Sequence, residues 1–214
     1  PPSTPAVQTF TAGGTPQTLA IVGDVGAVYG LAYDDGTVSG RERIFAAAYT
    51  KRLSVNSSYD ADGSASIFMF HRSGGVWAAP VRFPATNVPS HPINALRSLT
   101  DVDTIDDVSK RTMGDMEVSP DGRALYVVNI ARKQIEVFDL TAGGTPRHQG
   151  SIPILLGVIS GVPAVQQDLW PFALEFFPYR VGNNANELIL NVGITDSAQR
   201  GLVSGKPGMT GTAF

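Results

Sequence analysis

The densest group of chemically capable side chains is Asp101, Asp103, Asp106 and Asp107. Hard cations such as calcium take several carboxylate and carbonyl oxygens, and a loop of this composition supplies them. The plainer reading is a solvated acidic loop that partly caps a helical turn, and it is preferred. No cofactor is therefore expected, calcium being the one that such a loop could take. Asp60-Ala61-Asp62-Gly63 has the composition of a calcium-loop opening. Counted from Ser58, however, Met69 stands where a twelve-residue EF-hand loop needs its acidic last ligand, so a hairpin turn is expected there. His71, His91 and His148 are too far apart for a His-x-His or His-Glu-x-x-His zinc motif. There is no cysteine, which excludes disulfides, thiolate metal sites and Cys nucleophiles. No Gly-x-Ser-x-Gly elbow is present.

The binding candidates are cations and indoles. Lys51 and Arg52, together with Arg41 and Arg43, could hold an anionic sugar or phosphate. As solvated strand ends they need no ligand, and that reading is preferred. Trp77 and Trp170 could stack on sugar rings, although Trp170 precedes Pro171 at a strand start and is expected to pack inside the fold. Asn56-Ser57-Ser58 matches a glycosylation acceptor, relevant only in a host with that machinery.

Bulk properties bound the rest. The chain has 214 residues, 43% hydrophobic, which argues against global disorder. Only 16% are charged, while Gly (23) and Pro (15) are plentiful, which suits a turn-rich β protein. Net charge is −3 with no basic stripe, so nothing favours nucleic acid. The most apolar stretch, 152–165, is broken by Pro153, Gly157, Gly161 and Pro163, so no membrane span is expected.

The elements that must position these residues are short β-runs. Val28–Tyr33, Ala65–Phe70, Met113–Val118, Gln134–Leu140 and Phe172–Phe177 alternate or run apolar between turn signals. Arg43–Tyr49 and Ala124–Asn129 read as strands buried on both faces, and Glu187–Val192 completes a third such pair. Residues 94–108 are the one helical candidate, and Asp, Thr and Ser argue for a long loop instead. Three segments, starting at Tyr29, Met113 and Pro171, share one grammar: an alternating strand, a turn, a buried strand. Thr11-Ala12-Gly13-Gly14-Thr15-Pro16 recurs letter for letter at 141–146, with a looser Ser73-Gly74-Gly75 between. Each copy is expected to mark the turn leaving an outer strand for the next unit.

These features predict an all-β fold, a β-propeller of four-stranded antiparallel blades, as an incomplete portion of a larger ring. Residues 1–9 read as a Pro/Thr-rich linker, 10–204 as about three and a half blades, and 205–214 as a loop or truncated end. On a propeller axis, Asp115, Glu117 and Glu175 could line a channel.

The stretch Gly114-Asp115-Met116-Glu117-Val118-Ser119-Pro120-Asp121-Gly122-Arg123-Ala124-Leu125-Tyr126-Val127-Val128-Asn129 resembles a blade of the NHL and YVTN-type bacterial surface propellers. Val28–Asp34, Ile44–Arg52 and Trp170–Leu174 follow in an order similar to propeller regions beside serine-aspartate-repeat B-type immunoglobulin-like modules. The resemblance covers roughly residues 20–200. It implies a secreted or cell-surface location and a part in adhesion, matrix or assembly, with other protein chains or further domains of the same protein as partners. It implies no reaction. The chain departs from the pattern in the Ser/Asn-rich loop after Arg52, the turn at 182–186, and the lack of cysteine near Gly193. The expectation is a non-enzymatic extracellular assembly module. The alternatives are a calcium-dependent hydrolase of the gluconolactonase kind and a glycan-binding propeller.

Overall fold

A computed structural model describes residues 3–10, 12–49, 66–84, 113–154, 169–181 and 184–196. Lys51, Arg52, the glycosylation acceptor at Asn56, the Asp60 turn, His91, the helical candidate at 94–108 with its four aspartates, and residues 205–214 lie outside them.

The described residues form an all-β fold of antiparallel sheets, with one four-residue helix. Strands β1 (Pro5–Thr9) and β2 (Gln17–Ile21) form a hairpin, followed by helix α1 (Val22–Val25). The second sheet runs β3 (Val28–Asp34), β4 (Arg43–Ala48), β5 (Ser66–Ser73), with β6 (Val76–Trp77) and β7 (Val81–Pro84) both on the outer edge of β5. The third is a regular meander of β8 (Met113–Val118), β9 (Ala124–Asn129), β10 (Gln134–Asp139) and β11 (Arg147–Pro153). The fourth is a long hairpin, β12 (Leu169–Val181) with β13 (Asn184–Asp196).

Burial explains the central strands. Arg-Ile-Phe-Ala-Ala-Ala of β4 and Ala-Leu-Tyr-Val-Val-Asn of β9 place side chains into cores on both sheet faces. Ala46, Ala48, Phe68 and Phe70 pack against Val7 and Ala20 of the first hairpin. Phe45, Ala47, Ile67 and Phe83 pack against Met116, Leu125, Val127 and Phe138 of the third sheet. Val128 and Ile135 pack against Leu174, Trp170, Leu190 and Val192 of the fourth. The four sheets are thus stacked face to face in chain order.

Two expectations are corrected. Pro5–Thr9 is a strand rather than linker: Val7 turns onto the core beside Ala20, and proline at a first strand position forfeits no ladder bond. The Thr141–Pro146 loop turns within one sheet, from β10 to β11, instead of leaving for the next unit. The strand it leads into, Arg-His-Gln-Gly-Ser-Ile-Pro, is mostly exposed and polar, so no hydrophobic alternation marks it.

The leading strands of the last three sheets lie side by side. A Cβ added at Gly30 would come within 2.5 Å of the Gly114 carbonyl oxygen, and one at Gly114 within 2.6 Å of that of Phe172. Only glycine permits these approaches. Each leading strand also carries a register shift near its start, between Val28 and Leu31, Met113 and Met116, and Pro171 and Ala173. Beyond the shift the pairings correspond: Leu31 faces Ala46, Met116 faces Val127 and Leu174 faces Val192.

Candidate functional site

The close approach of β3, β8 and β12 gathers the polar groups of the leading strands. Asp115 accepts a hydrogen bond from its neighbour Met116 N–H at 3.0 Å and one from Leu174 N–H at 3.2 Å, tying β8 to β12. Glu117 follows on β8, and Glu175 on β12. Burial pushes the Glu117 carboxyl above the usual range, and the negative charges of Asp115 and Glu175 add to it. Beside this row the rings of Tyr29, Tyr49 and Phe172 meet, with Tyr29 and Phe172 4.4 Å apart and Tyr29 and Tyr49 5.5 Å apart. Burial, then Asp115, then Tyr49 raise the Tyr29 phenol. The three acids read from sequence therefore do fall on neighbouring strands. Among the described residues, no three His, Asp or Glu side chains stand close enough to hold a metal.

A cleft of about 400 Å³ opens between two hairpin turns, β3–β4 and β8–β9. Asp35 and Asp121 stand at its walls with Tyr33, Thr37 and Ser119. Both aspartates are held below the ordinary carboxylate range by their own turns, Asp35 by Thr37, and Asp121 by the Ser119 hydroxyl and then the Arg123 N–H. Tyr33 donates to Glu42 at 2.7 Å, and that bond pushes its phenol up to about 12.

The sequence candidates distribute unevenly. Arg43, weighed as an anion ligand, is fully buried. It pairs with Asp34 at 2.7 Å and donates to the carbonyls of Leu140, Ala142 and Gly144, so it fastens the second sheet to the 141–146 loop. A buried guanidinium so fully bonded is structural. Trp77 is half-buried against the first core, with the Arg72 guanidinium 6.0 Å from its ring centre. Trp170 packs between the third and fourth sheets under the Lys133 ammonium, 4.3 Å from its ring. Neither indole offers two open faces to a sugar.

One group carried no sequence signal. Glu136 is fully buried and accepts from Asn129 at 2.8 Å, Gln134 at 2.7 Å and Ser151 at 2.5 Å, with the His148 ring nitrogen at 2.8 Å. Burial alone would raise its carboxyl; the surrounding bonds outweigh it and hold it low. Ser151 and His148 address the same oxygen, so the histidine does not activate the serine as it would in a catalytic triad. The cluster binds three strands together.

A scan against protein-family models and a search of the curated proteins both return no match for this sequence.

Proposed function

We propose that the chain is a non-enzymatic, extracellular propeller module that serves protein–protein or matrix assembly. The observation that carries this reading is the stack itself. Three successive sheets share a register, and their leading strands converge through Gly30 and Gly114. Blades around an axis are arranged in this way. Blade stacks end in faces and edges that want partners. Exposed apolar side chains stand on the second and fourth sheets, Leu31 and Tyr33 on one and Phe177 and Ile189 on the other. The NHL and YVTN-type resemblance favours a secreted or surface setting.

Light scattering over a concentration series tests it. Assembly beyond the 22.6 kDa single chain is expected. A concentration-independent monomer that binds neither other proteins nor a cell surface overturns it.

The second reading, the calcium-dependent hydrolase, would need acids beyond Asp115, Glu117 and Glu175, which do not group closely enough among the described residues to hold the ion. Loss of thermal stability with a chelator, together with turnover of a lactone or phosphoester, would support that reading instead.

A further inference from the structure

The cleft between the β3–β4 and β8–β9 turns takes its walls from two sheets, and all of its lining belongs to the described residues. Asp35 stands on one turn and Asp121 on the other, both exposed. Val38, Val118 and Pro120 supply the apolar part of the lining. Asp34 also lines the cleft, but the buried Arg43 guanidinium already meets its charge at 2.7 Å. Asp35 and Asp121 are stabilised as anions chiefly by neutral groups, Asp35 by the Thr37 N–H and hydroxyl, and Asp121 by the Ser119 hydroxyl and the Arg123 N–H. The charge of Arg123 is a smaller contribution at Asp121. Glu42 and Arg72, nearby on β4 and β5, pair with each other at 3.1 Å. Among the described residues no lysine, arginine or histidine lines the cleft. It therefore presents two carboxylates with no cation of its own between its walls.

The walls hold their shape without a ligand. Asp34 accepts from the Gly36 N–H at 3.0 Å and from the Ser39 hydroxyl at 3.1 Å, which closes the first turn. The Ser119 hydroxyl oxygen accepts from the Ala124 N–H at 2.9 Å, which closes the second. A Cβ added at Gly122 would meet Val38 at 3.2 Å, so the two turns touch there. Acceptors fixed in this way cost an incoming group little ordering. The volume of about 400 Å³ lies within the roughly 300–1,000 Å³ of sites that take a small ligand or a few side chains.

We propose that this cleft docks an arginine side chain of a partner protein. This deepens the assembly reading above, and rests on it for the kind of partner. Charge complementarity selects the occupant: two carboxylates draw a cation and disfavour an anion. The apolar lining suits a long aliphatic stem, which basic side chains lay along such surfaces while the charged head stays polar. Arginine suits the two walls better than lysine. Its flat head carries five donors spread over several edges, whereas an ammonium is one compact charge. The chain uses the same chemistry in its interior, where the Arg43 guanidinium meets Asp34 and three carbonyls at once.

The test is an amide-shift titration of the isotope-labelled chain with acetyl-Gly-Arg-Gly-amide, beside peptides with lysine or citrulline in place of arginine. The amides of Thr37 and Arg123 bond the two carboxylates and report on them directly. They should shift saturably with the arginine peptide, less with lysine, and not with citrulline, and added salt should weaken the effect. Asp35→Asn and Asp121→Asn keep an oxygen for the turn bonds and remove the charge. Each should weaken binding roughly two- to fivefold, as exposed ion pairs do, with unchanged circular dichroism. Asp139→Asn alters an aspartate of the same turn type outside the cleft, where Thr141 is the bonding partner, and should leave binding unchanged. Shifts that are equal for arginine and citrulline, or binding that Asp139→Asn weakens as much as the cleft variants do, overturn the proposal. If the arginine peptide fails to bind while light scattering shows the chain assembling, the cleft is wrong and the assembly reading stands. If the peptide binds saturably at these amides while the chain stays single and takes no protein partner, the cleft is a guanidinium site and the assembly reading is what fails.

Discussion

The hairpins β1–β2 and β10–β11 are a natural experiment. The identical Thr-Ala-Gly-Gly-Thr-Pro connection and a shared bulge go with the same strand register beside the turn, yet the two hairpins sit in different surroundings. In the second copy Phe138 is buried against Phe83, with the His148 ring 5.3 Å away. In the first, the corresponding Gln8 and Thr18 are exposed, and the Gln8 amide donates to the Thr18 hydroxyl. Local sequence sets the hairpin, and the neighbouring sheet sets what its face must be. A copy with a sheet behind it carries phenylalanine; a copy facing water carries glutamine.

The comparison breaks hardest at Arg43, which locks the second copy's loop and has no counterpart on the first among the described contacts. Arg43→Ala leaves Asp34 as a buried unpaired charge and strips donors from three carbonyls. It should cost about 5 kcal/mol, the upper end for breaking a buried pair. Urea denaturation of the purified chain checks this. A loss under about 1 kcal/mol would mean that water replaces the guanidinium freely.

Next comes Phe138→Ala, which should cost about 3–4 kcal/mol through lost burial and the cavity it leaves. Its effect reads on the interface between the second and third sheets, so the thermal midpoint should fall as one cooperative transition. Two separate transitions would mean that the sheets unfold independently and that the stack is weaker than its core suggests.

Glu136 tests the polar half of the same hairpin. Its carboxyl titrates below the ordinary value in the folded chain. The stability it contributes is therefore fully present above the unfolded-chain value, about 4.3, and is lost as pH falls through the lower folded value. Glu136→Gln should cost about 1–3 kcal/mol at pH 7 and flatten the acid limb of the stability profile below about pH 4. An unchanged acid limb would place the acid sensitivity elsewhere.

What the sequence showed, and what it hid, follows the same division. The all-β class and strands β3, β4, β8, β9 and β10 were legible, because alternation or an unbroken apolar run follows directly from facing one core or two. Strands β1, β2 and β11 were not, since little of their surface is buried and their residue types follow no period. The acids of the leading strands could be named from sequence because they share a strand pattern. The Arg43 lock could not, as its carbonyl partners lie up to 101 residues away. Glu136 looked like any strand glutamate; only the pairing of β9, β10 and β11 brings its four partners to it.

The smallest expected effect is the most informative about the first hairpin. Gln8→Ala removes one exposed side-chain bond to Thr18 and should change single-chain stability by less than about 0.5 kcal/mol. Measured beside Phe138→Ala under one set of conditions, it compares equivalent positions with and without a sheet behind them. Urea denaturation of both variants checks this. A loss above about 1 kcal/mol at Gln8 would mean that its bond to Thr18 holds the first hairpin more firmly than an exposed polar pair does.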